Sequence, residues 1–391
     1  MYNELLTSGV PIRSWCPHPD TLAQSQILQL SHLPYVFGHI ALMPDAHAGV
    51  GVPIGTVFAT ENALVPCAVG QDIGCGMCAI KTNLRTDRLT HALIRDKLLM
   101  EIRRRIPMGS NRHRKPQQEE LMPSPDFLDQ LTVCRTHYAF ALTQLGTLGG
   151  GNHFIEFERD DEGWVWIMLH SGSRNLGVEI ARYYHAKACE FSDKSGIELD
   201  PERKLAFLPV DSEPGRAYLQ EMRYGMAYAF QNRSTMIDRI IETLSLYIPE
   251  VLIENRIDIP HNYVSQEVHF GKEVWVHRKG AIRAGKGEAG IIPGSQGSCS
   301  YLTEGLGNAM SFESSSHGAG RRMSRSDARK NLDLRNEIER LKRNGVIHSI
   351  HRQKDLDEAA GAYKDIETVM ENQVDLTRVV TRLYPMAVLK G

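Results

Sequence analysis

Short β-branched runs punctuated by glycine and proline mark the first eighty residues, and from Ile40 to Ile80 this pattern reads as strands joined by tight turns. Between Ile40 and Ile80 the predicted strands are Ile54–Ala59, Ala63–Val69 and Ala79–Ile80. The period then changes. Leu89, Leu93, Ile94, Leu98 and Ile102 share one broad face, which predicts a helix from Thr86 to Ile106 that Pro107 ends. Residues 109–125 are polar and read as a loop. Leu219, Met222, Met226, Phe230, Ile237, Ile240 and Leu244 recur at helical spacing and predict a long helix from Arg216 to Tyr247, its Met and aromatic residues packing a core. A hairpin is predicted over Val268–His277 and a charged helix over Ser324–Asn344. No repeat, low-complexity tract or Pro/Ser linker interrupts the chain. Residues 1–391 are therefore expected to form a single large α+β domain, with central packed β-sheets and hairpins flanked by helices.

Composition excludes several classes. Lys and Arg number 45 against 47 Asp and Glu, a formal charge of −2, so the chain is no wholesale polycation. The basic residues are nevertheless concentrated: Arg85–Lys115 holds ten against three acids, and Arg321–Lys354 eleven against four. Such segments read as solvated helix faces or as patches that face phosphate. No run of 18 apolar residues exists, which excludes a membrane-spanning helix. Met1 to Leu6 lacks the basic and apolar parts of a signal peptide. Seven scattered cysteines do not look like a secreted disulfide framework, so a cytoplasmic location is expected.

The chemistry-bearing residues stand in glycine-rich turns. In Val69–Cys78 three glycines let the backbone turn sharply and bring Asp72 and Cys75 toward a common point, where carboxylate and thiolate can both ligate a metal. Cys75 and Cys78 also form a C-x-x-C pair, but no second pair follows and no thioredoxin-like context surrounds it. Residues 153–170 predict a β-hairpin that turns at 160–163. If those four residues form the loop, Arg159 pairs with Trp164 and His153 lies opposite His170. A register one residue different would put the two rings on opposite faces. Both histidines stand in Gly/Ser/Asn loops, Gly149–His153 and His170–Arg174, and ligand and structural readings are balanced. His261, between Pro260 and Asn262, reads more readily as structural.

Gly280–Gly287 nearly matches a phosphate-binding loop, yet Gly287 stands where a metal-binding Ser or Thr is required, so a Walker NTPase is rejected. Pro293–Ser298 can still present backbone N–H groups to phosphate. His317, between Ser314–Ser316 and Gly318–Gly320, has the room that a nucleophilic histidine needs, although small neighbours equally fit tight backbone packing. No G-x-S-x-G elbow supports a serine hydrolase. From its residues the chain reads as a metal-dependent enzyme acting on phosphates, and spacing alone does not say which one.

The same residues carry a resemblance to the RtcB family of RNA ligases. The matching blocks are Met43–His47, Asp72–Met77, Leu148–Glu156, His170–Arg174, His261–Val264, Arg278–Ala281, Ile291–Gly297, His317–Arg321, Ala362–Lys364 and Leu389–Gly391, in family order over nearly the whole chain. The resemblance implies a GTP- and manganese-dependent ligase that joins RNA 3′-phosphate or 2′,3′-cyclic phosphate ends to 5′-hydroxyl ends, in RNA repair or tRNA splicing. It implies two Mn²⁺ ions, one held by Asp72, Cys75 and His153 and the other by Cys75, His170 and His261, with Cys75 bridging. His317 becomes the nucleophile that takes GMP from GTP. Guanylate contacts are implied for Asn152, His153, Phe154, Ile155, Glu156, His261, Asn262, Pro293, Gly294, Ser295, Gln296, Ser300, His317, Gly318, Ala319, Gly320 and Lys390. Arg174 is implied at the RNA terminal phosphate. The implied partners are these RNA ends and, as a further candidate, an archease-type activator; no membrane is involved. Val50, Gln296 and Cys78 depart from common family residues, none of them at a primary ligand. Two other readings stay open: an RNA end-healing phosphatase or cyclic phosphodiesterase, and a non-catalytic RNA-binding protein.

Overall fold

Side chains alternate along the strand Gly76–Arg85: Cys78 and Ile80 enter one apolar cluster, Met77 and Ala79 another, so the strand is buried on both faces. The computed structural model, which describes residues 2–124, 128–195 and 204–391, places it in a seven-stranded antiparallel sheet. The order is Ile253–Pro260, Gly76–Arg85, Trp164–Ser171, Phe154–Asp160, Thr377–Lys390, Ser300–Gly305 and Ala289–Ile292. On one face Ile80, Phe157 and Leu169 pack with helix residues Ile94, Ile102, Met236, Ile240 and Leu244. On the other, Trp166 and Met168 share a cluster with Leu341, Ile350 and Leu356. A second sheet of six strands runs Asn3–Leu5, Ile12–Ser14, Val36–His47, Ile54–Thr60, Lys272–Lys279 and Asn262–His269. The chain passes from one sheet to the other at His261. Mixed antiparallel sheets flanked by helices, among them Arg174–Lys194 and Glu213–Ser245, are the α+β class expected.

Local chemistry moves several predicted boundaries. Ala63–Val69 is not one strand: Ala63–Leu64 pairs with Leu208–Pro209, and Pro66 opens a helical turn, where its fixed φ and missing N–H are favoured. The helix predicted over Thr86–Ile106 breaks at Leu89 and restarts under a Thr90 cap, whose Oγ1 accepts from Leu93 N at 3.2 Å. A π turn at Ile94–Leu98 then keeps Ile94, Leu98 and Ile102 buried together. The charged helix is two helices, Arg325–Asn331 and Leu334–Arg343, because Asp333 caps the second by accepting from Asn336 N at 2.8 Å. The long helix starts earlier, at Glu213, and its Phe230 faces solvent under the Arg256 guanidinium rather than the core. The hairpin Val268–His277 is the inner part of a longer pair, Asn262–His269 with Lys272–Lys279. Of the predicted polar loop, residue 125 lies outside the described residues, and a short turn at Glu119–Leu121 interrupts the rest.

The hairpin register differs by one residue. Its loop has three residues, not four: Asp160 O accepts from Gly163 N at 3.0 Å, Asp160 Oδ1 accepts from Trp164 N at 2.8 Å, and Gly163 takes φ 83°. Arg159 therefore pairs with Val165, and Phe154 rather than His153 pairs with His170. His153 escapes the alternation because it precedes the strand Phe154–Asp160. Its Nδ1 lies 2.9 Å from Leu148 O, and its ring centroid is 5.2 Å from that of His170. The two rings meet for a different reason than the pleat.

Candidate metal centre and adjoining cavity

Gly76 pairs with Pro260 on one side and Ser171 on the other, so three strand ends lie in one row. Cys75 precedes that row, His261 follows it and His170 ends beside it. Cys75 Sγ lies 3.2 Å from His170 Nε2 and 3.5 Å from His153 Nε2. His170 Nε2 is 3.4 Å from His261 Nε2, and Asp72 Oδ2 is 2.9 Å from His153 Nε2. All five predicted metal residues thus converge. Gly172 has to be glycine here, since a Cβ would overlap the Asp72 carboxylate.

The donor set fits a cation. Backbone carbonyls only accept, so the contacts of His153 Nδ1 with Leu148 O (2.9 Å) and of His170 Nδ1 with Asn152 O (3.2 Å) put the ring proton on Nδ1. Each Nε2 then turns a lone pair inward, toward other lone pairs and a carboxylate. Burial, helped by the neighbouring imidazoles, holds His170 and His261 well below the usual histidine range and therefore neutral. Burial pushes the Asp72 carboxyl up, but with a proton instead of a cation between it and His153 Nε2, the bond and charge of that proton prevail and hold it at about 2. Burial and then the Asp72 charge raise the Cys75 thiol well above its ordinary value, a preference that a bound cation reverses. Soft and borderline ligands facing one another suit a transition metal.

Two buried residues of the long helix hold these loops. Asn232 Oδ1 accepts from Gly146 N (2.7 Å) and Thr147 N (3.1 Å), and its Nδ2 donates to Thr147 O, Ser171 Oγ and Gly172 O at 3.1–3.2 Å. Arg233, paired with Asp258 at 2.6 Å, donates to Gly74 O (2.9 Å) and Ser171 O (3.0 Å). Nothing in the helical spacing marked either residue. Asn232→Ala strands several buried polar groups and is expected to cost about 2–4 kcal/mol, read by urea unfolding. A loss within 0.5 kcal/mol would return Asn232 to an incidental role.

A cavity of about 410 Å³ opens beside the centre. Its lining includes Asn152, Phe154, Glu156, Pro293–Gln296, His317–Gly320 and Lys390, all implicated by sequence. Phe154 and Glu156 face it by strand alternation, whereas Ile155 points the other way, into the apolar core. Asn262 braces the metal loop instead: its Nδ2 donates to Asp72 O (3.1 Å) and its Oδ1 accepts from Gly280 N (2.8 Å). Ser300 lies behind the cavity wall, accepting from Gly294 N at 3.2 Å, and Ser298 Oγ accepts from Ser295 N at 2.7 Å. Those two loop N–H groups, expected to face phosphate, are spent on serines. Arg174, at φ 55°, sends Nε to Thr147 Oγ1 at 3.4 Å and its charge helps depress Asp72.

His317 joins the cavity to the metal cluster. It lines the former, and its ring centroid is 4.8 Å from that of His261. Its Nδ1 lies 2.7 Å from Asp45 Oδ2. Gly280, at φ 62°, keeps space behind the ring, where a Cβ would come within 3.0 Å of Cε1. Asp45 is 272 residues away in sequence and was given no role beyond its place in Met43–His47. The cavity also holds Glu358, which binds Arg321 at 2.7 Å and Arg325 at 2.6 Å and accepts from Tyr363 Oη. Burial keeps both Glu156 and the adjacent Glu158 raised, Glu158 to about 8, and depresses the Lys390 amine.

A cluster of thiol, imidazoles and carboxylate at the end of a seven-stranded sheet, able to hold a metal and open to a cavity lined by His317, defines a candidate metalloprotein centre. The family model described as tRNA-splicing ligase RtcB matches residues 26–126 and 125–391, and the chain belongs to this RtcB family. It is similar to the RNA-splicing ligase RtcB of Escherichia coli strain K12, 36% identical over 415 residues covering 100% of both chains. It is also similar to the tRNA-splicing ligases RtcB of Nanoarchaeum equitans, at 32% identity over 95% of this chain and 91% of that one, and of Methanococcus maripaludis, at 32% over 94% and 91%.

Proposed function

We propose that this chain, acting as one catalytic domain in the cytoplasm, is an RNA ligase that joins 3′-phosphate or 2′,3′-cyclic phosphate ends to 5′-hydroxyl ends with GTP. The observation that carries the reading is His317, set between cavity and metal cluster with Nδ1 against Asp45, which leaves Nε2 for nucleophilic attack. Nε2 attacks the α-phosphorus of GTP, an N–P bond forms, and the bond to the departing pyrophosphate breaks. An oxygen of the RNA 3′-phosphate, after water has opened any cyclic phosphate, then takes GMP and restores the imidazole. Finally the 5′-hydroxyl oxygen attacks the 3′-phosphorus and GMP leaves, with the hydroxyl proton passing to solvent. Asp45 Oδ2, 2.7 Å from Nδ1 and accepting from the His317 backbone N–H at 3.3 Å, keeps its charge beside the ring throughout. Glu156 and Lys390, together on the cavity wall, orient the guanylate, and Arg174 meets the RNA phosphate. Manganese held by Asp72, Cys75, His153, His170 and His261 supplies Lewis-acid charge for phosphate oxygens.

Relatives named as RNA-splicing and tRNA-splicing ligases, aligned over 94–100% of the chain, support the same reading. Incubation with α-labelled GTP and manganese, followed by RNA bearing 3′-phosphate and 5′-hydroxyl ends, tests it. Acid-labile covalent GMP and a sealed product are expected. Phosphate release from the RNA end without covalent GMP would instead make the protein an end-healing hydrolase, and RNA binding with neither a non-catalytic binder. Whether an archease-type activator raises turnover is read by adding one to the same assay.

A further inference from the structure

We propose that a second cavity, on the far side of Lys390, is a subsite for a backbone phosphate of single-stranded RNA next to the reacting ends. The inference rests on the ligase reading and assigns residues that it leaves unused. Arg103, from the helix Leu99–Arg105, lines a cavity of about 420 Å³ together with Arg329 and Lys354. The two basic segments of the sequence meet at this point: Arg103 Nη2 donates to Ser349 Oγ at 2.6 Å across a separation of 246 residues. Gln296, Glu358 and Lys390 line both cavities, so a strand leaving the guanylate pocket runs directly into the second.

Arg103, Arg329, Lys354 and Lys390 line this cavity with Asp355, Asp357 and Glu358, and the three acids are already engaged. Asp357 is taken by Arg329 at 2.7 Å, and Glu358 by Arg321 and Arg325. Asp355 accepts from the backbone N–H groups of His351 (3.1 Å) and Arg352 (2.9 Å). Among the described residues neither Arg103 nor Lys354 has a carboxylate partner, and the Arg103 guanidinium is lowered by burial alone. Its neighbours differ: Arg88 pairs with Glu250, Arg95 with Asp96, Arg104 with Glu101 and Arg105 with Glu242. Local acids thus pair with four of the ten basic residues of that segment, and of those left over Arg103 is the one that lines the cavity. Partial desolvation of an unpaired guanidinium is unfavourable, and a phosphate that accepts two N–H bonds offsets it. The chemistry is that of a phosphodiester, from the 3′-phosphate strand or from the 5′-hydroxyl strand.

Binding of two fluorescent oligonucleotides, one ending in 3′-phosphate and one beginning with 5′-hydroxyl, across a range of salt tests this on the full chain. Arg103→Ala and Lys354→Ala are each expected to weaken one oligonucleotide roughly fourfold near 0.15 M salt and to flatten its log–log salt slope by about 0.7. The oligonucleotide affected identifies the strand. Self-guanylylation with labelled GTP is expected to stay at the unsubstituted level. Lys354 is exposed, so its replacement reports even if Arg103→Ala folds poorly. Unchanged affinity and slope for both oligonucleotides, in a protein that still ligates, overturn the subsite alone. A parallel loss of self-guanylylation overturns it too and gives the cavity to the nucleotide. An unsubstituted protein that neither binds nor ligates these RNAs overturns both the subsite and the ligase reading.

Discussion

His317→Ala is expected to remove covalent GMP from the protein altogether, lowering self-guanylylation and ligation by roughly 10⁴-fold or more while metal content stays near normal. The magnitude follows from what no neighbour can replace. His261 stands closest, but its Nε2 faces His170 within the metal cluster, and burial keeps it neutral. His47 also lines the cavity, yet its Nδ1 lies 3.0 Å from Asp45 O, and burial, the largest influence on it, lowers it to about 4. Among the described residues, only His317 combines a cavity-facing ring with a carboxylate beside its far nitrogen. The void left by alanine is tolerable for the fold, because the ring is partly exposed and its serine neighbours are held by other bonds. Asp45→Asn is expected to slow the same step less, since the ring stays and loses only its orienting charge. Acid-quenched gels with labelled GTP, alongside elemental analysis, read both variants. Persisting covalent GMP in His317→Ala would move the nucleophile elsewhere.

The parts of this site that were legible in sequence are those fixed by short-range chemistry. Asp72 and Cys75 are three residues apart in a glycine turn, and Cys75 N donates to Asp72 O at 3.0 Å, so local geometry alone brings them together. The hairpin was legible as two strands, but its register depended on whether Asp160 closed a three-residue or a four-residue loop. The Asp160 side chain decided this by bonding Trp164 N. His153 and His170 were therefore paired correctly in space through an incorrect register. The class of the fold followed from period and punctuation, whereas the break at Leu89 and the split at Asp333 followed from caps that compete with continued helix. Long-range partners left no local trace. Asp45 against His317, Asn232 under the metal loops and Arg103 against Ser349 arise from the docking of whole elements. Phe230 has helical spacing yet faces solvent, since spacing gives a face and not what covers it.

Cys75→Ala is expected to abolish manganese binding and ligation together, whereas Cys78→Ala keeps both. The two thiols are three residues apart in a C-x-x-C pair, but the fold sends them to different places. Cys75 lies before the strand Gly76–Arg85, with His153 and His170 nitrogens within 3.5 Å of its sulfur. Cys78 lies inside that strand, opposite Leu169 and Asp258, and its side chain joins the apolar cluster of Ile80 and Ile167. Burial pushes the Cys78 thiol up to about 12, and no imidazole is among the causes of its shift. A thiol there packs like a small apolar side chain. Its removal is expected to cost about 1 kcal/mol of stability, the usual price of a small buried truncation, with ordinary manganese dependence retained. Loss of the Cys75 sulfur instead removes the one ligand atom near both the Asp72–His153 and the His170–His261 sides of the cluster. Elemental analysis and manganese titration of the two purified variants, with urea unfolding as the check on folding, separate these outcomes. If Cys78→Ala loses metal as completely as Cys75→Ala, the single-bridge arrangement is wrong and the pair has to be treated as one thiolate site.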